Sequence, residues 1–317
     1  MSAQRTIAVI GATGAQGGGL VRSIAADPDG EFVARAVTRD PGSDAAKQLA
    51  TLPNVEVVQG DLDDPATIRA AFDGAHGAFC VTFFWADFSP QSERRHAQTM
   101  ATAAAEAGLG HVIWSTLEDT RDWVAQGDER MPMLQGTYRV PHFDAKAEAD
   151  ASFRDANVPT TFLRTSCYWE NFIYFGLGPK RGEDGVLTIA LPLGDEVLPA
   201  IAAEDIGKTA HGIFRAGEEY VGQTIGIAGE HLTGAQMAEK LSAALGEQVR
   251  YVDVDPDVYR GFGFPGADEL GNMFQVNRDF AAEYAGARDL DRARALNPEL
   301  QTFDGWLAAN ARRIPLD

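Results

Sequence analysis

A glycine-rich segment near the N-terminus has the residue types and the spacing to bind phosphate groups through its backbone. It reads Gly-Ala-Thr-Gly-Ala-Gln-Gly from residue 11 to residue 17, between an apolar run and a helical pattern. In such a loop the first glycine permits a tight turn, the second lets the backbone approach a pyrophosphate, and the third lets helix and strand pack closely. The unpaired N–H groups of the helix N-terminus then face the phosphates. The pattern predicts dinucleotide binding by the loop residues Gly11, Thr13, Gly14, Ala15, Gln16 and Gly17.

The residue that ends the second predicted strand distinguishes the two nicotinamide dinucleotides. A carboxylate there would hydrogen-bond the ribose 2′-hydroxyl, whereas an arginine favours a 2′-phosphate. The sequence has Thr38-Arg39, and a guanidinium can bind phosphate through two parallel hydrogen bonds. Asp40 follows, and we expect its side chain to point away from that of Arg39. The pattern favours NADP(H) over NAD(H), and the alternative for Arg39 is a surface ion pair.

Alternating strands and helices would position this loop. Short apolar runs predict buried parallel strands at residues 7–10, 32–38, 55–58, 78–82, 112–115 and 160–163. Helix signals lie between them: Asp64-Pro65 and Ser89-Pro90 at helix starts, and Gly108 at a helix end. This order of elements predicts an α/β fold of Rossmann type, a doubly wound parallel sheet.

The carboxyl ends of the strands in such a sheet form the ligand site. Asp61 and Leu62 follow the third predicted strand, where an adenine should lie. Thr82 and Phe83 end the fourth strand and should face the dinucleotide.

The second half of the chain predicts a smaller α/β substrate domain that is interleaved with the first. It includes a helical pattern over residues 268–284. We expect the nucleotide domain at residues 1–165 and about 204–228, and the substrate domain at about 166–203 and 229–317. Residues 120–141 interrupt the alternation with Gly, Pro and mixed charge, which indicates either a functional loop or a mobile one.

The composition limits the classes of function. The 317 residues carry a formal net charge of -19 and include two cysteines, Cys80 and Cys167. Acidity argues against direct nucleic-acid binding, and the lack of a run of about 18 apolar residues argues against a membrane span. Two cysteines do not suggest a disulfide framework, and no Cys/His cluster has zinc-ligand spacing, so no metal site is predicted. Since no signal peptide precedes the first strand, we expect a cytoplasmic protein.

Six segments of the chain resemble the NmrA-like family of atypical short-chain dehydrogenases/reductases. They are residues 11–18 (GATGAQGG), 37–39 (VTR), 58–61 (VQGD), 142–146 (HFDAK), 167–171 (CYWEN) and 263–267 (GFPGA). The resemblance extends to the C-terminal helix and implies a Rossmann domain with a smaller α/β domain. Some members of the family look like regulators that bind NADP(H) and a protein partner, whereas others reduce small aromatic compounds.

The resemblance also implies where catalytic residues would lie. Typical short-chain reductases use Tyr-x-x-x-Lys on one helix face, whereas this chain has His142-x-x-x-Lys146. Lys146 is expected to bind the nicotinamide ribose and could also act in catalysis. His142 could act as an acid, since imidazole titrates near neutral pH, or could only pack near the cofactor. Ser115 matches the place of the usual catalytic serine, or is only a strand-end hydroxyl.

Polar and aromatic residues after the sixth strand should line the nicotinamide end of the site. The expected cofactor ligands there are Tyr168, Glu170 and Asn171. Aromatic side chains could form a wall against a flat substrate or the nicotinamide ring, or could belong to the core: Phe83, Trp85, Tyr168 and Trp169. Cys167 could be a redox-sensitive thiol, but no neighbour in the sequence obviously lowers its pKa.

Two functions are compatible with these features. The first is an NADPH-dependent oxidoreductase that reduces a small aromatic or quinone-like substrate. The second is a nonenzymatic NADP(H) redox sensor that regulates a protein partner, for which the missing tyrosine argues. We favour the oxidoreductase, because turnover needs only a positioned cofactor and a proton source. A homodimer would be compatible with the family.

Overall fold

A computed structural model describes residues 4–27, 30–125 and 127–316, and the chain divides into two compact units. The first unit comprises Met1–Asp119, Ala145–Thr165 and Ala203–Ile225, and the second comprises Thr120–Asp144, Ser166–Ala202 and Gly226–Asp317. Residues 120–144 thus belong to the second unit, whereas the sequence placed them in the first. Hydrogen bonds explain this placement: Asn272 donates its amide N–H groups to the carbonyl oxygens of Pro132 and Arg139, at 2.9 and 2.6 Å.

The strands alternate with helices through the first half of the chain. In chain order they are β1 Arg5–Val9, β2 Phe32–Thr38, β3 Val55–Gln59, β4 Gly77–Cys80, β5 His111–Thr116, β6 Thr160–Arg164, β7 Cys167–Tyr168, β8 Lys180–Arg181, β9 Leu187–Leu191, β10 Val197–Ile201, β11 Thr224–Gly226, β12 Glu230–Thr233 and β13 Val249–Asp253.

The helices vary from one turn to five turns. In chain order they are α1 Ala15–Ala25, α2 Asp44–Leu49, α3 Pro65–Phe72, α4 Pro90–Ala107, α5 Pro141–Asp155, α6 Asn171–Tyr174, α7 Ala203–Arg215, α8 Gly234–Leu245, α9 Pro256–Arg260, α10 Ala267–Asp279, α11 Ala281–Gly286, α12 Leu290–Leu296 and α13 Phe303–Asn310. Short 3₁₀ helices lie at Phe84–Ala86, Thr120–Asp122 and Ala311–Arg313.

The main sheet has seven strands within the described ranges, in the order β11-β6-β5-β4-β1-β2-β3. The neighbouring pairs from β6 to β3 are all parallel. Strand order therefore reverses beside β1, which pairs with β2 on one side and β4 on the other. This topology confirms the predicted Rossmann-type α/β fold, and it brings the ends of β1 and β4 together.

Apolar runs on the strands form the core of the first unit with the faces of the helices. Trp114 on β5 stacks on Phe153 of α5, with ring centroids 5.0 Å apart. Both side chains are fully buried, among apolar residues of β1, α3 and α4. Burial of two large rings removes several hundred Å² from water, so this stack fixes α5 against the sheet.

A close approach of two helices holds α1 in place. A Cβ atom added at Gly207 of α7 would lie 2.0 Å from the backbone nitrogen of Leu20, and one added at Gly19 would lie 2.6 Å from the carbonyl oxygen of Glu204. Only glycine fits at these positions, because real side chains never approach backbone so closely. The helix that follows the glycine loop is thus packed backbone to backbone against α7.

The second unit contains two small sheets, with the strand orders β12-β10-β7 and β13-β9-β8. An aromatic cluster packs beside them: Trp169 lies 5.3 Å from Phe303, and Phe303 lies 5.9 Å from Trp306, between ring centroids. All three side chains are buried. They anchor the C-terminal helix α13 to this unit.

Local signals were accurate at several helix ends, and one predicted helix was wrong. Asp64 and Ser89 cap α3 and α4 by accepting backbone N–H groups, and Gly108 ends α4 in the left-handed conformation. The sequence predicted one helix over residues 268–284. The structure instead breaks it at Phe280, whose φ of -126° and ψ of 37° lie outside the helical region and separate α10 from α11.

Candidate functional site

The glycine loop forms an exposed turn between β1 and α1. Gly11 has a φ of +66°, which suits glycine, and its carbonyl oxygen accepts the N–H of Gly14 at 2.8 Å. A Cβ atom at Gly17 would lie 2.5 Å from that same oxygen. Gly14 caps α1 without a side chain, and the first turn of α1 carries no acidic residue. This helix start suits a ligand of negative charge, and phosphate binding there stays a prediction.

The other loop residues differ in exposure. Thr13 and Ala15 are exposed beside Gly14, whereas Gln16 is buried. A ligand at this turn would therefore meet backbone and the small side chains first, and Gln16 would contribute to the packing of the turn.

Arg39 lies exposed just beyond the end of β2. Its guanidinium forms no ion pair or hydrogen bond with any residue that the structure describes. The side-chain carboxylate of the neighbouring Asp40 accepts the backbone N–H of Gly42 at 2.8 Å. The backbone carbonyl oxygen of Asp40 accepts the hydroxyl of Ser43 at 2.9 Å. Asp40 is thus engaged in the turn that leads into α2, and Arg39 has its donors available for an anion.

The residues after β3 form a tight turn. Asp61 donates its backbone N–H to the hydroxyl of Thr67 at 2.9 Å, and its carboxylate accepts the backbone N–H of Asp63 at 3.0 Å. Leu62 packs against the core of the first unit. The structure keeps both at the carboxyl end of β3, and their contact with an adenine stays a prediction.

Three side chains meet just after β4. The Nζ atom of Lys146 lies 2.6 Å from Oε1 of Glu93 and 2.5 Å from Oγ1 of Thr82, and the Thr82 hydroxyl also contacts Oε1 of Glu93. All three residues are buried. We call Thr82, Glu93 and Lys146 the lysine triangle. Sequence analysis identified Thr82 and Lys146, but not Glu93.

A second buried carboxylate supports the lysine triangle from the side of β5. Asp150, one turn after Lys146, accepts Nε1 of Trp114 at 2.9 Å and the hydroxyl of Thr116 at 2.7 Å. Burial raises the pKa of Asp150 above its ordinary value, and these hydrogen bonds oppose that change. The Nζ atom of Lys146 lies 5.2 Å from the centre of the Trp114 ring.

Ser115 lies between Trp114 and Thr116 on β5 and is buried. Side chains alternate between the two faces of a strand. Because Trp114 and Thr116 face α5, the Ser115 hydroxyl is directed to the opposite face. The structure therefore does not bring Ser115 to the amine of Lys146, and a catalytic role for it stays a prediction.

In the second unit, His142 is bound by Glu269 of α10. Oε1 of Glu269 accepts both the backbone N–H and the Nδ1 atom of His142, each at 2.6 Å. Both side chains are buried. An ionised carboxylate only accepts hydrogen bonds, so this arrangement places a hydrogen on Nδ1 of His142. Such a pairing fixes the orientation of the ring.

The start of α5 is fixed by a buried carboxylate as well. Asp144 accepts the backbone N–H and the hydroxyl of Thr120, at 2.8 and 2.6 Å, and the backbone N–H of Arg139 at 2.8 Å. These bonds satisfy donors that an irregular segment would otherwise leave unpaired. The sequence gave no sign of this role for Asp144.

The residues after β6 have mainly structural contacts in the second unit. Nδ2 of Asn171 lies 3.7 Å from Sγ of Cys167, and Glu170 accepts Nε1 of Trp306 at 3.0 Å. Tyr168 is half-buried on β7. Roles of Tyr168, Glu170 and Asn171 in cofactor binding stay predictions.

Two interpretations of this segment change. Trp169 is fully buried against Phe303 and Trp306, so it belongs to the core and not to an aromatic wall. Burial raises the pKa of Cys167 to about 11, which keeps the thiol protonated near neutral pH and argues against a reactive thiolate.

The described ranges hold neither a metal-binding cluster nor a helix that could span a membrane. Residues 4–27, 30–125 and 127–316 contain no group of three or more His, Cys, Asp or Glu side chains that could hold a metal ion. Within the same ranges, no helix combines the length and the apolar character needed to cross a membrane.

Comparisons with known proteins agree with the fold. The profile described as "NmrA-like family" matches residues 3–307. The chain is 26% identical to the NmrA-like family domain-containing oxidoreductase ptmS of Penicillium ochrochloron, over 96% of this chain and 97% of that protein. It is 30% identical to the NmrA-like family domain-containing oxidoreductase notA of Aspergillus sp. (strain MF297-2), over 89% of this chain and 86% of that protein.

Solved structures show the same likeness. NmrA, a negative transcriptional regulator solved in complex with NADP, superposes with a TM-score of 0.78 at 26% identity, covering 96% of this chain and 94% of that one. A structure of the same description in complex with NAD has the same TM-score, identity and coverage. The neighbour thus binds either dinucleotide.

Proposed function

The chain belongs to the NmrA-like family, and from that premise we propose that it is an NADP(H)-dependent oxidoreductase that acts on a small molecule. The observation that carries the proposal is the lysine triangle, which holds a buried amine just after β4. Strand β4 pairs with β1, the strand that leads into the glycine loop. Relatives named as oxidoreductases support it.

The choice of NADP(H) rests on Arg39. A guanidinium without an ion pair to the described residues suits a 2′-phosphate, while the carboxylate of Asp40 is occupied by Gly42. The pyrophosphate would bind at the exposed turn of Gly11, Gly14 and the first amides of α1.

The proposed chemistry is hydride transfer to an electrophilic carbon, with NADPH supplying the hydride when it is bound. Lys146 would donate a hydrogen bond to the nicotinamide ribose and so fix the position of the ribose. His142, one helical turn earlier on α5, would supply the proton, because Glu269 fixes the orientation of its ring. We assign no step to Ser115, because its hydroxyl is directed to the face of β5 opposite α5.

The proposed substrate is aromatic or quinone-like. The apolar side chain of Phe83 is 62% exposed directly after Thr82 of the lysine triangle. An exposed ring beside the expected nicotinamide position suits stacking with a flat substrate. Reduction of small aromatic compounds by some members of the family, as the resemblance implies, points to the same class.

The test follows NADPH absorbance across a panel of quinones, aryl ketones, imines and dyes. Lys146→Ala and His142→Ala are compared with the wild type, with Lys47→Ala and His96→Ala as matched controls at more exposed positions. We expect oxidation by at least one compound, a loss of rate of about 10²-fold or more in the first two variants and none in the controls. Equal rates in all variants would remove both residues from the mechanism.

The nonenzymatic sensor is the competing function. NADPH binding that changes self-association or the capture of a partner, without oxidation by any compound of the panel, would support the sensor over the enzyme. We propose the enzyme because the two relatives above are named as oxidoreductases.

A further inference from the structure

Glu93 is a buried carboxylate whose side-chain partners belong to the candidate site. Its side chain is 2% exposed, and its Oε1 atom contacts both Lys146 and Thr82. A buried ion pair rarely stabilises a fold, because the cost of removing both charges from water offsets their attraction. The pair therefore calls for a reason other than stability.

The fold places Glu93 at the start of a helix. It lies in the first turn of α4, which Ser89 caps by accepting the backbone N–H of Ser92 at 3.1 Å. Negative charge is stabilised at a helix N-terminus by the aligned peptide dipoles. Thr82 lies in the loop after β4, whereas Glu93 lies on α4. Two separate elements therefore fix the position of the Lys146 amine.

Within the described part of the chain, the Lys146 amine has one hydrogen-bond donor left after its contacts with Glu93 and Thr82. An ammonium group has three N–H donors. Among the residues that the structure describes, Glu93 and Thr82 take two of them, which leaves one for a ligand oxygen. Since Glu93 cancels the charge, this remaining donor suits a neutral hydroxyl better than a phosphate.

Arg39 has the opposite properties. It is exposed, and no described residue compensates its charge. These two cations would therefore recognise different parts of one dinucleotide: Arg39 the anionic 2′-phosphate, and Lys146 an uncharged diol.

We infer that Glu93 is a positioning residue, which together with Thr82 makes Lys146 a donor to the neutral ribose diol of the nicotinamide half and leaves phosphate recognition to Arg39. This inference rests on the proposed use of NADP(H). It predicts that the loss of Glu93 weakens the binding of the whole dinucleotide but not of its adenosine half.

Two probes separate these halves. NADPH contains both, whereas adenosine 2′,5′-bisphosphate has the 2′-phosphate and lacks the nicotinamide ribose. Dissociation constants for both would be measured by calorimetry on Glu93→Gln, Lys146→Met, the double variant and Arg39→Ala. Glu106→Gln is the matched control, because Glu106 lies on the same helix in an exposed ion pair with Arg69.

We expect Glu93→Gln and Lys146→Met each to weaken NADPH binding about tenfold, the effect of one lost charge-assisted hydrogen bond. Both should bind the bisphosphate as the wild type does. The double variant should bind NADPH no more weakly than Lys146→Met does. It should also melt at a higher temperature than Lys146→Met, because Lys146→Met buries an unpaired carboxylate and the double variant does not. Arg39→Ala should weaken both probes, and Glu106→Gln neither.

Three results would overturn the inference. Wild-type affinity of Glu93→Gln for NADPH would leave Glu93 a purely structural partner. Equal weakening of both probes by Glu93→Gln would indicate a general disturbance of the fold. A further loss on adding Glu93→Gln to Lys146→Met would show that Glu93 does not act through the lysine. If the wild type binds neither probe, the proposed cofactor itself is wrong, and that outcome is distinct from the other three.

Discussion

One oxygen atom of Glu269 binds His142 twice, at the backbone N–H and at Nδ1, each over 2.6 Å. The first contact satisfies a donor in the first turn of α5, and the second fixes the ring. The same carboxylate therefore stabilises the start of α5 and orients the imidazole ring of a candidate acid.

Replacement of this carboxylate should affect both roles. We expect Glu269→Gln to lower the free energy of unfolding by about 1–3 kcal/mol, because buried charge-assisted hydrogen bonds are lost, and to reduce the rate of NADPH oxidation. Urea denaturation and initial rates measure the two effects. Glu283→Gln, at an exposed position on α11, should change neither. A normal rate in the folded Glu269→Gln protein would contradict a role for the paired imidazole.

Arg39 should decide between the two dinucleotides. We expect Arg39→Ala to weaken NADPH binding by about tenfold or more and to leave NADH binding nearly unchanged, because only the former has the 2′-phosphate. Dissociation constants for both cofactors test this, with Arg312→Ala as a control at another exposed arginine. Equal affinities of the wild type for NADPH and NADH would refute the assignment of Arg39.

Gly207 should be intolerant of even the smallest side chain. Gly207→Ala would place its Cβ atom 2.0 Å from the backbone of α1, where no side chain can rotate away. We expect a loss of at least about 3 kcal/mol in the free energy of unfolding, at the upper end of the costs of overpacking. Gly286→Ala is the control, because no atom lies within 4 Å of its added Cβ. Equal stability of the two variants would mean that α1 and α7 do not pack as described.

The thiol of Cys167 should react slowly near neutral pH. Since burial raises its pKa from 9.0 to about 11, its thiolate fraction should grow only as the pH approaches 11. The rate of alkylation by iodoacetamide should rise through that range, later than for a free cysteine. Asn171→Ala should delay the rise further, because its hydrogen bond to the sulfur lowers the pKa. Rapid alkylation at neutral pH in the native protein would contradict this environment.

The features that the sequence predicted well are those set by near neighbours. The turn at Gly11 and the caps at Asp64 and Ser89 each depend on residues within one or two turns, so their signals are local. The parallel sheet followed from the alternation of strands and helices and from the connections that parallel strands require.

The partners of the candidate site could not be predicted in this way. Glu93 and Lys146 are separated by 53 positions, and His142 and Glu269 by 127, so no periodic pattern connects them. An isolated Glu in a helix reads as a solvated residue, and only the packed structure shows that these two are buried. Trp169 illustrates the reverse error, because its proximity in sequence to Tyr168 suggested the site, although it lies in the core.

The packing of α1 against α7 also has a consequence for biosynthesis. Arg22 and Glu204, which form an ion pair between these helices, are 182 positions apart. The ribosome therefore releases the glycine loop long before it makes the helix that clamps it. A nascent chain that ends before Ala203 therefore contains the loop and α1 but lacks the helix against which α1 packs.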